Sequence, residues 1–121
     1  MTHHSGLRRA LGAKGARGAA VLDVARRHIV DQVGETTPSL HMPARREALC
    51  RSLEAQQQMW ATLGGEPFHA CLLVQEGAYL IVHALASTQG YYLCTWLEAE
   101  KGNLGLALRH VAEAASVVPE E

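Results

Sequence analysis

The sequence predicts an α+β fold in which a five-stranded antiparallel sheet lies between helical layers. Residues 68–75, 78–86 and 91–97 are three apolar runs, separated by the short turns 76–77 and 87–90. Strands joined by turns this short pair as antiparallel neighbours. The third run, from Tyr91 to Leu97, is apolar on both faces, whereas a strand with one wet face alternates apolar and polar residues. We therefore expect helices on both sides of the sheet.

The N-terminal part of the chain predicts a short helix followed by a connector. Ser5 is a candidate N-cap for a helix that runs through Leu11. Gly12, Gly15 and Gly18 follow it. A phosphate-binding loop of the G-x-x-x-x-G-K-S/T type has a different spacing and follows a strand, not a helix. We therefore interpret this segment as a flexible connector.

Two strands are predicted after the connector. Residues 19–24 are apolar apart from Asp23, and residues 28–33 mix apolar with polar side chains. The mixed pattern is typical of an edge strand. Residues 25–27 form a short turn, which Asp23 is expected to face in a structural role. Residues 34–42 are predicted to be a connecting loop.

A long helix is predicted from Pro43, which suits a first helical turn, to Leu63, just before a glycine pair. One stripe along it is predicted to pack on the sheet: Leu49, Leu53, Gln56, Trp60 and Leu63. A second stripe, about 100° round the helix, is mostly small and uncharged: Ala48, Ser52, Ala55, Met59 and Thr62. Small side chains let another backbone approach closely, so we interpret the second stripe as a contact between two subunits. A broad intramolecular face is the alternative.

The chain is predicted to end in a further helix. Asn103 can cap it by accepting a hydrogen bond from an orphan backbone N–H. Apolar residues then recur at helical spacing: Leu104, Leu108, Val111, Ala115 and Val118. The predicted order is therefore helix, strand, strand, long helix, three strands, helix.

Length and composition fit a single domain. The chain has 121 residues, of which 48% are hydrophobic and 19% charged, with a net charge of −1. We expect one domain over 1–121, with flexible ends at about 1–5 and 119–121. Residues 1–27 hold six basic residues and one acidic residue. The overall balance does not favour a nucleic acid partner, and no apolar run is long enough for membrane insertion.

Cysteine usage indicates a reducing compartment. Cys50, Cys71 and Cys94 are scattered and odd in number, which fits a cytoplasmic protein without a disulfide framework. Paired carboxylates around an apolar pocket and recognisable nucleophile or metalloprotease motifs are absent from the sequence. We therefore predict a protein that is not an enzyme and needs no cofactor.

The histidines do not predict a metal site. The 76–77 turn places His69 and His83 on opposite faces of the sheet. His83 faces Cys94 only if Ala86 pairs with Tyr91, and two ligands are too few for a zinc site. The aromatic residues of the third run have apolar neighbours, whereas RNA-binding sheets expose aromatics beside basic residues. These aromatics, Trp96 included, are predicted to be core.

The order of elements and two motifs resemble the Roadblock / dynein-light-chain-type family. Ala19-Ala-Val-Leu-Asp23, a short turn and a second strand are similar to the first hairpin of that family. The resemblance is clearest in Tyr91-Tyr-Leu-Cys-Thr-Trp-Leu97 followed by Gly102-Asn-Leu-Gly105-Leu-Ala-Leu-Arg109. It covers nearly the whole chain and is closest to the bacterial branch associated with small GTPases.

The resemblance implies a non-catalytic homodimer that binds and regulates a small Ras-like GTPase, as a GTPase-activating protein or as a scaffold. The alternative is a small-ligand sensor or regulatory domain, which needs a pocket with convergent polar groups. Four arginines are candidates for contacting the partner: Arg26, Arg27, Arg45 and Arg46.

Overall fold

The computed structural model describes residues 4–35, 37–65, 68–86 and 88–117. In chain order the elements are α1 (His4–Leu11), β1 (Ala16–Asp23), β2 (His28–Gly34), α2 (Pro38–His41), α3 (Pro43–Thr62), β3 (Ala70–Gln75), β4 (Ala78–Ala84), β5 (Tyr91–Glu98) and α4 (Leu104–Val117). The flexible ends predicted at 1–5 and 119–121 lie outside the described residues, except that His4 and Ser5 belong to α1. Ser5 therefore lies within α1 and not before its first residue.

The five strands form one antiparallel sheet in the order β2-β1-β5-β4-β3. This confirms the predicted fold class and the edge position of β2. The tight turn between β3 and β4 sets their register, with Gln75 opposite Ala78 and Ala70 opposite His83. Gly77 in that turn has φ of 76°, a left-handed conformation that glycine adopts without steric cost.

The central strand β5 is covered on both faces. Leu93 and Leu97 point into the core beneath α1 and α4, whereas Tyr92, Cys94 and Trp96 point into the core beneath α3. This alternation is the predicted one, because successive side chains of a strand point to opposite faces. The helices contribute these buried residues: Leu7, Ala10, Ala107, Val111, Ala114 and Ala115 on one side, and Leu40, Leu49, Cys50 and Leu53 on the other.

The glycine-containing segment after α1 is more than the predicted connector. The strand β1 begins at Ala16 instead of Ala19, and Gly18 pairs with Trp96 on one side and Gly34 on the other. A Cβ atom at Gly18 would lie 2.3 Å from the Trp96 ring and 2.0 Å from the Glu35 carbonyl oxygen. Only glycine leaves room for this contact.

The predicted loop 34–42 contains a short helix, α2. The Thr37 carbonyl accepts hydrogen bonds from the Leu40 amide at 3.0 Å and the His41 amide at 2.8 Å. Leu40 is buried against the α3 side of the sheet. A single turn of four residues is too short for a periodic pattern to reveal it.

The register between β4 and β5 is not the one that would place His83 opposite Cys94. Ala84 lies opposite Tyr92, so His83 lies opposite Leu93 and not Cys94. The strand ends at Ala84 rather than Ala86, and the Leu85 amide donates to the Tyr91 carbonyl at 2.9 Å as the chain enters the connection. The neighbouring strand β3 begins at Ala70, opposite His83, and not at residue 68.

Two predicted helix stripes are only partly buried. In α3, Leu49 and Leu53 pack on the sheet, but Trp60 is 41% exposed and Leu63 is 69% exposed. The second half of α3 is bonded to the segment before β3, where Gln57 Nε2 donates to the Phe68 carbonyl. No described strand continues the sheet beyond β3. In α4, Leu108 is 37% exposed, and the neighbouring small residues make the contact with the sheet instead.

Trp96 is a core residue, and its removal tests the packing beneath α3. Its side chain is 8% exposed and belongs to the cluster beneath that helix. We expect Trp96→Ala to lower the free energy of unfolding by about 3–5 kcal/mol, as for other large aromatics removed from packed interiors. Urea denaturation measures the change. Leu108→Ala is the control, since Leu108 is 37% exposed on the opposite helical layer. Equal losses for both variants would contradict this assignment.

Candidate partner-binding surfaces

The turn between β1 and β2 is fixed by backbone geometry and one buried carboxylate. Asp23 is 5% exposed, and its Oδ1 accepts a hydrogen bond from the Arg26 amide at 3.3 Å. This confirms the structural role predicted for Asp23. Arg27 has φ of 56°, a left-handed conformation that is unfavourable for a residue with a side chain. The surroundings must therefore hold Arg27 in place.

The Arg27 guanidinium supplies that restraint by binding two acids of α3. Its Nη1 and Nη2 donate to the two carboxylate oxygens of Glu54 at 2.7 and 3.0 Å. Its Nε donates to Glu47 at 3.2 Å, and Nη1 also reaches the Val24 carbonyl at 2.7 Å. Bidentate arginine–carboxylate pairs combine charge with fixed geometry. The bond to Arg27 lowers the pKa of Glu54, and the bonds to Glu54 and Glu47 raise the pKa of Arg27.

Arg46 connects a third element, the short helix α2, to the β1–β2 turn. Its Nε donates to the Arg27 carbonyl at 2.9 Å, and its Nη1 donates to the Leu40 carbonyl at 2.8 Å. Arg46 lies on α3 and Leu40 on α2, so this side chain connects α2, α3 and the β1–β2 turn. We call the set of Arg27, Arg46, Glu47 and Glu54 the turn clamp.

The turn clamp divides the four candidate arginines into two kinds. Arg27 and Arg46 use their donors on groups of the same chain. Arg26 has an 80% exposed side chain and lies 3.9 Å from Asp23, and Arg45 is exposed near the start of α3. Only Arg26 and Arg45 therefore have guanidinium groups that are available to a partner.

Glu47 and Glu54 are functional residues of the turn clamp that the sequence pattern did not predict. The two acids are seven residues apart on α3, so they lie on one face two turns apart. The spacing of the two acids can be seen in the sequence. The position of Arg27 beside them cannot, because it depends on how the β1–β2 turn packs against the helix.

The second stripe predicted on α3 lies on the outside of the molecule. All five of its residues, Ala48, Ser52, Ala55, Met59 and Thr62, are exposed in the single chain. Large apolar side chains extend this surface at the C-terminal end of α3: Met59, Trp60 and Leu63 are 49%, 41% and 69% exposed. The contact of Gln57 Nε2 with the Phe68 carbonyl, at 3.4 Å, holds this end of α3 beside the segment that leads into the edge strand β3. We call these seven exposed residues, together with the unpaired edge of β3, the α3–β3 surface.

The thiols lie on the opposite side of α3, towards the sheet. All three cysteines are free, and Cys50 and Cys94 are buried. Burial is the main cause that raises the pKa of Cys94, with smaller contributions from Cys71 and Cys50. Thiols with raised pKa values stay protonated and poorly nucleophilic. In the described ranges no three His, Cys, Asp or Glu residues are placed to hold a metal ion, and none of the helices there is long and apolar enough to cross a bilayer.

Comparison with known proteins identifies the fold. No model of a known protein family matches the chain, and no curated protein matches it significantly in sequence. The gliding protein MglB of Thermus thermophilus superposes with a TM-score of 0.77 at 18% identity, over 96% of this chain and 84% of that one. MglB of Myxococcus xanthus gives 0.77 at 13%, over 93% and 81%. A Roadblock/LC7 domain of Streptomyces avermitilis gives 0.72 at 13%, over 95% and 93%.

The turn clamp predicts a pH-dependent contribution to stability. Because the pKa of Glu54 is lowered from 4.5 in the folded protein, its stabilising effect is complete above the unfolded value. The effect is lost as the pH falls through the lowered folded value. The difference in melting temperature between wild type and Glu54→Gln should therefore be present at neutral pH and vanish in acid. Glu100→Gln, at an exposed site between β5 and α4, is the control. A difference that is independent of pH would contradict the clamp.

Proposed function

The chain has the Roadblock-like fold, and on that basis we propose that it is a non-catalytic, homodimeric module that binds and regulates a small Ras-like GTPase in the cytoplasm. The observation that carries the proposal is the α3–β3 surface. A helix that packs three residues on its own sheet and presents an uncharged stripe outwards has a face suited to another protein.

We assign the α3–β3 surface to the contact between two copies of the chain. In a two-fold dimer the same surface faces its own copy, so one substitution acts twice. Small residues at Ala48, Ser52 and Ala55 allow two α3 helices to approach closely. The exposed edge of β3 also gains a partner, since unpaired strand edges are otherwise sites of uncontrolled association.

Substitution of Ala55 by arginine tests the dimer. The change places two cations in the contact, where a buried unpaired charge costs about 3–5 kcal/mol. We expect the dissociation constant to rise by about a hundredfold or more. Light scattering and sedimentation over a range of concentrations give the oligomeric state. Ala86→Arg adds the same charge at an exposed site in the β4–β5 connection and should leave the dimer intact. An unchanged Ala55→Arg dimer would overturn this interface.

The turn clamp supports regulation without a catalytic arginine. An arginine finger must place a free guanidinium on the transferring phosphate. Arg27 and Arg46 are already bonded within the chain. The Arg26 side chain is 80% exposed and makes only a long ion pair with Asp23, at 3.9 Å, and Arg45 is exposed near the start of α3. We therefore propose that the module, if it accelerates hydrolysis, acts by ordering the switch loops of the GTPase.

Single-turnover GTP hydrolysis by a Ras-like GTPase from the same organism tests this function. Binding is measured in both nucleotide states. Hydrolysis is followed with wild type, with Arg26→Ala, with Arg45→Ala and with the control Lys101→Ala, at an exposed site between β5 and α4. We expect binding by wild type and no loss near 10³-fold in rate from any one variant, which is about the effect of a true finger. Such a loss with binding intact would overturn the non-catalytic role. Failure to bind any such GTPase would overturn the proposal that the partner is a small Ras-like GTPase.

A further inference from the structure

A groove on the face of the molecule opposite α3 has no role in the proposed function. It has a volume of about 290 Å³ and lies between α4 and the segment that joins α1 to β1. Six side chains determine its chemistry: Lys14, Asn103, Leu106, Arg109, His110 and Glu113. It is separated from the α3–β3 surface by the sheet, so an occupant of the groove would not compete with a second copy bound there.

The walls of the groove are fixed by the ends of two helices. The His110 Nε2 atom bonds the Arg9 carbonyl near the end of α1, where backbone carbonyls lack helical partners. The Gly12 amide donates to the same carbonyl at 3.0 Å. At the other end, Asn103 Oδ1 accepts from the Leu106 amide at 3.1 Å and caps α4. The groove is therefore preformed.

The charges of the groove differ from those of the whole chain. Lys14 and Arg109 are exposed, and neither forms an ion pair with any residue that the structure describes. Glu113 is the acid in the lining, so two cations and one anion leave a local charge of +1, against −1 for the chain. The neighbouring Arg8 and Arg9 on α1 are exposed as well. This side of the molecule attracts anionic groups.

An apolar side chain lies among these cations. Leu106 is 60% exposed on the first turn of α4 and lines the same groove as Lys14 and Arg109. Exposure of a leucine to water does not stabilise the isolated chain. Asn103 keeps its side-chain NH₂ available, since the cap uses only Oδ1. The groove thus combines cations, an amide donor and an apolar contact, which are the groups that bind a peptide with alternating acidic and apolar side chains.

We propose that this groove binds a short acidic segment of a partner protein, with carboxylates on Lys14 and Arg109 and an aliphatic side chain against Leu106. The ten-residue interval from Asn103 to Glu113 along α4 spans about 15 Å, the length of about four to five residues of extended peptide. The carboxylate of Glu113 repels a free phosphate, and it accepts a hydrogen bond from a peptide N–H. A peptide fits all of these groups.

A fluorescein-labelled peptide of alternating Glu and Leu, six residues long, is the probe. Fluorescence polarisation at low and high salt measures its affinity, and amide chemical shifts of the protein show where it binds. We expect shifts on α4 and on residues 12–14, and affinity that falls with salt. Peptides with Gln in place of Glu, or Ser in place of Leu, should bind more weakly.

Charge reversal gives the matched comparison. The double variant Lys14→Glu and Arg109→Glu should bind the peptide about tenfold more weakly or worse, because two attractions become repulsions. The double variant Arg17→Glu and Arg51→Glu reverses two exposed arginines outside the groove and should bind as wild type. Leu106→Ser should also weaken binding, and circular dichroism confirms that each variant folds. Equal binding by wild type and the Lys14 and Arg109 variant, or shifts confined to α3, would overturn the proposal.

Other occupants are distinguished in the same experiments. Inorganic phosphate, or vesicles of phosphatidylserine and phosphatidylcholine, would overturn the peptide assignment if they shifted the groove amides while the Glu-Leu peptide did not. Self-association that depends on concentration and is lost in Leu106→Ser would assign the groove to a second copy and would also overturn it. None of these outcomes depends on the dimer at α3 or on binding of a GTPase.

Discussion

The central strand β5 imposes the main constraint on this structure, because six consecutive residues from Tyr92 to Leu97 are buried. Even the polar member, Thr95, is 0% exposed, and its hydroxyl has no hydrogen-bond partner in the described part of the chain. A strand buried on both faces needs a cover on each side. The helices α1 and α4 form one cover and α3 forms the other. Each helix has one face committed to the sheet, and its other face is free to contact partners.

The two helical covers differ in whether their cationic side chains are bonded to other groups of the chain. On the α3 side, Arg27 and Arg46 are bonded to carboxylates and carbonyls of the chain, so they fix the β1–β2 turn against the helix. On the α1–α4 side, Lys14 and Arg109 have no ion-pair partner among the described residues. A bonded arginine stabilises an unfavourable turn conformation, whereas an unpaired cation is available to bind a partner. Type of residue alone therefore does not separate structural from binding side chains.

Features set by local chemistry could be predicted from the sequence, and features set by distant contacts could not. The turn at Gly77 determined the β3–β4 register, and alternation assigned the faces of β5. The β4–β5 register was missed because the connection after Ala84 is longer than a two-residue turn and does not fix the pairing. The turn clamp was missed because Arg27 and Glu54 are 27 residues apart. The outer stripe of α3 was found because helical periodicity is local, although periodicity could not show that Trp60 extends past the sheet.

The length of α3 connects the fold to the proposed assembly. A helix of 20 residues is about 30 Å long, yet only Leu49, Cys50 and Leu53 are buried by the chain itself. The outward face and the C-terminal end of the helix leave Met59 and Leu63 in contact with solvent. Exposed apolar residues of this size are unfavourable in isolation and become favourable when a second surface covers them. The proposed contact with another subunit would cover these residues, and the groove on the opposite cover would remain accessible.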